Sequence, residues 1–559
     1  MNQSISIMLM GGLVRVLQGF AAAAPTLLVG MLIASILRYY LGEKGTRRLF
    51  GGDTLRSLPQ SWLVGMLLPV CSIGVLPILR EMRRAGVKPG AMSAFALSAP
   101  LFNPLSLLYG LTLSRPMVII LFAFGSLVIV TALGLFWDAM GVRTAKENTL
   151  PLAGGSDAVA AGEGSDTETS PRLASTRLEK EGEDKRDHLI GLRRLAATFV
   201  HFARELTGVS LGLTVLALSG LAILAAVLPY GAMQNSVERD DWFAPLTMMG
   251  VAIPVYATPM LAMSQLGMMF QHANSPGAAF TLLILGTGMN LATPIWFGRH
   301  YGLKATALWM VSLVVIVLGI SYAINRPLMP PGVEPAGHTH AFDIYANPMS
   351  AYHKFDLATL RGLVMKDLDI SVVASLAVLG FFALIGAALR IMRIDEAWLV
   401  KTAKAGSFAS SLTSEDAKNR KGLDAVVPPG VIGATMLAGL VALSVVACFA
   451  YYPSPEECLD EISLARAECL SAANSGQSET ALFWLPVWED WSRRLEVGTF
   501  IRTGEVRPYQ RMQGYLIRKK LETLEHELEH DPYEPEEVKA VVRDILGTNS
   551  RWVRAFRRS

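Results

Sequence analysis

Charge is what this chain of 559 residues has least of. Only 17% of it is Asp, Glu, Lys or Arg, against 52% hydrophobic residues and a mean hydropathy of +0.38. Soluble domains are charged at nearly a quarter of their positions, so a soluble globular class is excluded. Near the centres of the apolar runs no charged side chain is found, and each would cost about 2.5 to 3.5 kcal/mol there. The usual proton carrier of a pump is therefore missing from the sequence. Cysteine is scarce too, with four in all and none at zinc-ligand spacing. Cys458 and Cys469 either close a small loop in an oxidising compartment or remain two thiols. No Walker A, GxSxG or HExxH pattern occurs, which leaves ATP hydrolysis and hydrolase chemistry without a basis. Neither an enzyme, a cofactor nor a nucleic-acid partner is expected. The N-terminus lacks a short signal-peptide pattern, so the first apolar run is expected to remain as a span.

What the chain does have is apolar stretches of about 20 residues, enough to cross a bilayer, and a duplication. PVCSIGVLP begins at Pro69 and PVYATPMLA at Pro254. Pro69, Val70, Pro89, Gly90, Ala91 and Asn103 fall opposite Pro254, Val255, Pro276, Gly277, Ala278 and Asn290, which points to two halves on one plan. Both copies place prolines, glycines and small polar residues in apolar surroundings. A proline inside a helix removes a hydrogen bond at about 3 kcal/mol, and freed backbone groups survive at membrane depth only inside protein or beside a water-filled cavity. Such stretches point to a transport site.

The spread of Lys and Arg sets an expected topology. A first span over residues 14–41 ends at Lys44, Arg47, Arg48 and Arg56, a cytoplasmic signature. Residues 62–79, broken at Gly65, Pro69, Gly74 and Pro77, lead to a second basic loop with Arg80, Arg83, Arg84 and Lys88, so they read as a re-entrant hairpin. Residues 90–113 cross outward and 117–137 return. The expected units are a first permease repeat (1–140), a flexible cytoplasmic linker (141–204) too polar to fold, and a second repeat (205–325) that runs upside down. An extracytoplasmic loop (326–368) with His338, His340 and His353, two additional transmembrane helices (369–452) and a hydrophilic, helical extracytoplasmic domain (453–559) follow. The fold class is thus an all-α polytopic membrane protein of the cell (inner) membrane, with about eight spans and both termini outside. Its two inverted-topology repeats contain broken or re-entrant helices, a recurring plan among secondary transporters.

If the breaks meet at mid-depth, the polar groups available to a solute include Cys71, Ser72, Ser98 and Asn103 from one half and Tyr256, Thr258, Thr287 and Asn290 from the other. Pro69, Gly74, Pro77, Pro104, Pro254 and Pro259 would shape the breaks. Asn103 and Asn290 are the paired feature; an amide either caps a half-helix or meets the solute, and the two are compatible. Cys71 with Met260 and Met289 offers soft sulfur to a metal or metalloid, although Met also fills irregular apolar gaps.

At PVCSIGVLP the sequence resembles the predicted permease family that includes organoarsenical and heavy-metal efflux permeases. Pro69, Cys71, Ser72, Gly74, Pro77, Gly90, Ala91 and Asn103 carry the resemblance in the first half; Ser275 to Ala279 and the GTGMN ending at Asn290 carry it in the second. Ile73 stands where that family has a second cysteine, and Tyr256, Ala257 and Thr258 occupy a stretch that often holds another. The resemblance implies a permease that exports a small solute or ion through the bilayer. Two other readings compete: a membrane-embedded sensor or scaffold whose C-terminal domain binds a protein partner, and a passive channel.

Overall fold

The computed structural model describes residues 2–52, 54, 56–113, 116–140, 192–229, 232–233, 237–328, 339, 341–349, 357–365, 368, 370–394, 398, 428–529 and 534–557. Helix α1 (Asn2–Ile36) is rich in Ala, Leu, Val and Ile on every side, which is why it is buried in protein over much of its length. A π-turn at Leu37–Leu41 joins it to α2 (Gly42–Leu49), so the first span is one rod longer than the expected 14–41. Helices α3 (Ser57–Leu67) and α4 (Val75–Arg84) then follow, separated by the non-helical break Leu68–Gly74. Arg80, Arg83 and Arg84, read above as a loop, belong to α4. α5 (Pro89–Ser98) and α6 (Pro104–Leu113) are a second broken pair, and α7 (Pro116–Ala139) is an uninterrupted span.

The second repeat starts earlier than expected. α8 (Leu192–Leu206) lies in what was read as linker, and α9 (Val209–Val227) follows it directly; the rest of that linker, through residue 191, lies outside the described residues. α10 (Ala244–Ala252) and α11 (Pro259–Gln271) are separated by the non-helical break Ile253–Thr258. α12 (Pro276–Thr281) continues through a π-turn to Thr287, and α13 (Ala292–Tyr301) leaves the break at a 57° bend. Gly302, at φ +94°, makes the left-handed corner into α14 (Leu303–Asn325), a conformation only glycine adopts without strain.

Equivalent helices pack equivalently, with their ends exchanged. Asp138 at the end of α7 accepts the Gly90 amide of α5 at 2.8 Å; Asn325 at the end of α14 accepts the Gly277 amide of α12 at 3.0 Å. Yet α14 begins where α7 finishes, since Trp309 packs on Trp137 at 5.4 Å between ring centres. The two halves therefore run antiparallel. Trp309 also donates to Ser93 of α5 and Phe280 of α12 meets Phe122 of α7, so they interlock into one core.

Among the described residues six continuous helices are long and apolar enough to span, and the bent pair α12–α13 makes a seventh. Of the eight expected, 90–113 is the one divided into the two short arms α5 and α6. The expected outer loop contains a buried strap, residues 341–349, and α15 (Leu357–Met365); His338, His340 and His353 lie outside the described residues. α16 (Ile370–Ile391) and α17 (Pro429–Tyr451) are the two further spans. Beyond them α18 (Pro455–Asn474), α19 (Ser478–Thr503), α20 (Pro508–Glu529) and α21 (Pro535–Arg557) form an antiparallel bundle with its own apolar core around Trp488, Leu521, Ile545 and Trp552. Cys458 and Cys469 sit on one helix, about 16 Å apart along its axis. They are separate buried thiols, and burial pushes both up to about 12.

Candidate functional site

These two breaks reach α1 at Gly30 and α9 at Gly220 because glycine lets backbone touch backbone there. A Cβ on Gly30 would overlap the Gly74 carbonyl, and one on Gly220 would overlap the Pro254 carbonyl. Pro69 and Pro254 lie within the breaks. Pro77, Pro104 and Pro259, expected to make breaks, instead open the next half-helix: Pro104 and Pro259 are first-turn prolines, and Pro77 is the third residue of α4. An amide is unneeded at these positions.

The breaks from opposite repeats face each other. Tyr256, 2% exposed, turns its hydroxyl toward Cys71, which is fully buried, and toward Thr26 of α1. That hydroxyl makes no regular hydrogen bond, while Cys71 Sγ accepts the Gly74 amide at 3.4 Å. Ser72 Oγ, Thr287 Oγ1 and Asn290 Nδ2 are likewise buried without a partner. An unsatisfied buried polar group costs about 1 to 3 kcal/mol, so four of them in or beside the breaks call for an explanation.

The remaining candidates are satisfied locally. Asn103 Oδ1 accepts the Ser106 amide at 2.7 Å, and Asn290 Oδ1 accepts the amides of Ala292 and Thr293 at 2.8 and 3.2 Å, so both asparagines cap half-helices. Thr258 caps α11 through Leu261, and Ser98 donates to its own helix at Phe95 while lying over Gly65. Met289 is buried, and Met260 is turned elsewhere, its sulfur taking the Tyr452 hydroxyl at 3.7 Å. Met260 is thus committed to the α17 side and Cys71 to Tyr256.

Tyr256 and Thr258 also line a cavity of about 190 Å³ whose walls are Ala21, Ala22, Leu221 and Leu261. Above it the strap closes over. Arg15, 9% exposed, donates to the carbonyls of Ala346 at 2.8 Å and Asp343 at 2.7 Å, and Tyr345 donates to Gln265, which in turn donates to Ala341. At the opposite end of α1, Glu81 of α4 is 5% exposed and meets Arg38 at 3.3 Å, Arg84 at 2.7 Å and His201 at 4.0 Å; Arg80 pairs with Glu205 nearby. These buried charges were missed because each lies near the end of an apolar run, where a charge reads as a loop.

Three comparisons bear on this arrangement. No solved structure matches the chain. The UPF0718 protein YcgR of Bacillus subtilis (strain 168) is 32% identical over 85 residues, which cover 15% of this chain and 29% of that protein. The match thus spans less than a third of that relative. The family described as predicted permease, ArsP_1, matches residues 17–326, which run from the cavity wall on α1 through both broken repeats to the end of α14. With over half its length covered, including the breaks of both repeats and the Cys71–Tyr256 contact, the chain belongs to the ArsP_1 predicted permease family.

Proposed function

We propose that this permease exports a small solute, such as a metalloid or heavy-metal species, by alternating access between the two repeats. The observation that carries this reading is the Tyr256 hydroxyl, buried without a regular hydrogen bond, turned toward Cys71 of the other repeat on a residue that lines the 190 Å³ cavity. A solute moving past Tyr256 meets Cys71 and Ser72 next; Ser98, Asn103, Thr258, Thr287 and Asn290 line the remainder of the pathway. In this reading, which rests on the bias of Lys and Arg, the basic ends of α2 and α4 face the cytoplasm of the inner membrane and both termini lie outside. On that reading the cavity lies toward the outer face beneath the 341–349 strap, and the Arg38–Glu81–Arg84 cluster seals the inner end.

The test compares cells with and without the protein for resistance to a panel of metal, metalloid and organoarsenical salts. Tyr256→Ala and Asn290→Ala are expected to lower resistance to the responsive compound at least tenfold while the protein still reaches the membrane. Unchanged resistance in both would remove the pathway. Flux in vesicles that ignores imposed proton and sodium gradients would indicate the passive channel instead.

A further inference from the structure

Several charges of the C-terminal bundle are held in opposite pairs. Arg493 meets Glu489 at 2.5 Å, Arg494 meets Asp490 at 2.7 Å and Arg518 meets Glu496 at 2.6 Å; Lys520 pairs with Asp544, and Lys539 with Glu536. One end of the bundle is arranged differently. Where α20 begins and α21 ends, Arg507, Arg551 and Arg554 line a single open pocket with Tyr509, Gln510 and Ala555. All three arginines are exposed, and among the described residues none of them takes part in an ion pair and no carboxylate lines the pocket. Arg557, one turn further on, lines the neighbouring pocket with Glu456 and Asp460.

The convergence is built by the fold. Gly504, at φ +79°, ends α19 and turns the chain, and Val506 is buried behind the turn. Gln510 accepts the Arg507 amide at 2.9 Å and donates to the Ala555 carbonyl at 3.1 Å, which fastens the start of α20 to the last turn of α21. Arg551 and Arg554 are three apart on one helix, so they share a face. Like charges held together repel one another, a cost that an anion between them removes. Guanidinium groups match the oxygens of a phosphate in a bidentate way that few other anions satisfy.

We infer that Arg507, Arg551 and Arg554 form a binding site for a phosphate group. Its position indicates a source. The pocket lies at the end of the bundle where α19 returns to α17, with Arg502 donating to the carbonyls of Tyr452 and Pro453 immediately after that span. Headgroup phosphates of anionic lipids gather at such a boundary, and clusters of basic residues beside a span bind them. A free phosphate offers the same oxygens.

The experiment uses the purified full-length protein in detergent and follows its thermal midpoint by tryptophan fluorescence. Short-chain phosphatidylglycerol, the matching phosphatidylcholine, inorganic phosphate and sodium chloride of equal ionic strength are added in turn. Phosphatidylglycerol is expected to raise the midpoint by about 3 °C, phosphatidylcholine and chloride by less than a third of that. The shift should vanish in Arg507→Gln/Arg551→Gln/Arg554→Gln. A shift with inorganic phosphate that the triple variant loses also supports the site and assigns it to a free anion. No shift with either phosphate, an equal shift with chloride, or a shift that the triple variant keeps would overturn it. Should the triple variant fail to fold, Arg554→Gln is expected to weaken the apparent affinity about tenfold and Arg551→Lys by less than threefold. Equal affinities in all three proteins would count against the proposal.

Discussion

At the scale of single residues, Asn103 and Asn290 illustrate how one side chain answers two demands. Their carbonyl oxygens are spent on capping half-helices, so Asn103→Ala is expected to cost about 1 kcal/mol of stability, seen as a lower thermal midpoint. Asn290→Ala should cost less, because it also removes an amide nitrogen left without a partner. The glycines are stricter. Gly220→Ala drives a methyl into the Pro254 carbonyl, which rigid backbone cannot yield, and should destabilise by about 1 to 3 kcal/mol. In the bundle, the raised thiols of Cys458 and Cys469 are expected to resist maleimide until the protein unfolds; fast labelling of the native protein would contradict their burial. The duplication made Cys71 and Tyr256 legible as equivalent break residues. Thr26 was invisible, since no proline or repeat marks that point of α1.

The half-helix is the element on which this molecule turns. α6 and α11 each start at a break and lie against one another, and α19 of the bundle packs beside α6. Tyr109 of α6 stacks on Tyr452 at 6.3 Å, and His272 at the end of α11 meets Glu522 of α20 at 3.1 Å. Motion of either half-helix therefore disturbs the bundle. Glu489 lies in this seam. Burial works to raise its carboxyl, but the adjacent Arg493, then Arg518 and His272, bring it below the ordinary 4.5. A carboxylate with a lowered folded value stabilises the fold above its unfolded value and loses that contribution as pH falls through the folded one. The thermal midpoint of the full chain should thus drop as pH is taken below about 4.5, and Glu489→Gln should flatten that part of the profile. An unchanged profile would show that this seam contributes nothing. Proline and glycine made the breaks readable, whereas α8 was read as linker because its basic residues, Arg194 and Arg204 among them, obscure the face that packs on α1 and α16.

For the whole molecule the division of labour follows the family match, which ends at residue 326. Removing residues 454–559 uncovers Tyr109 and breaks the His272–Glu522 contact, yet leaves both repeats and the cavity intact. The truncated chain is expected to melt at a lower temperature while retaining resistance within about threefold of the full chain, as measured at matched membrane levels. Complete loss of function with a stable truncated chain would instead favour a sensor or scaffold acting through the bundle.

Length of apolar runs, the duplicated motif and the positions of proline and glycine settled that this is a helical membrane protein with two related, broken halves. Those are local properties: hydropathy over about 20 residues and the loss of one backbone hydrogen bond can be read wherever they occur. That Tyr256 faces Cys71, that Arg15 is held by a strap from residues 341–349, and that Glu81 is buried among Arg38, Arg84 and His201 were decided by packing alone. Each joins segments far apart in sequence, and such partners are chosen by shape and by the need to satisfy buried polar groups, which no short window of sequence contains.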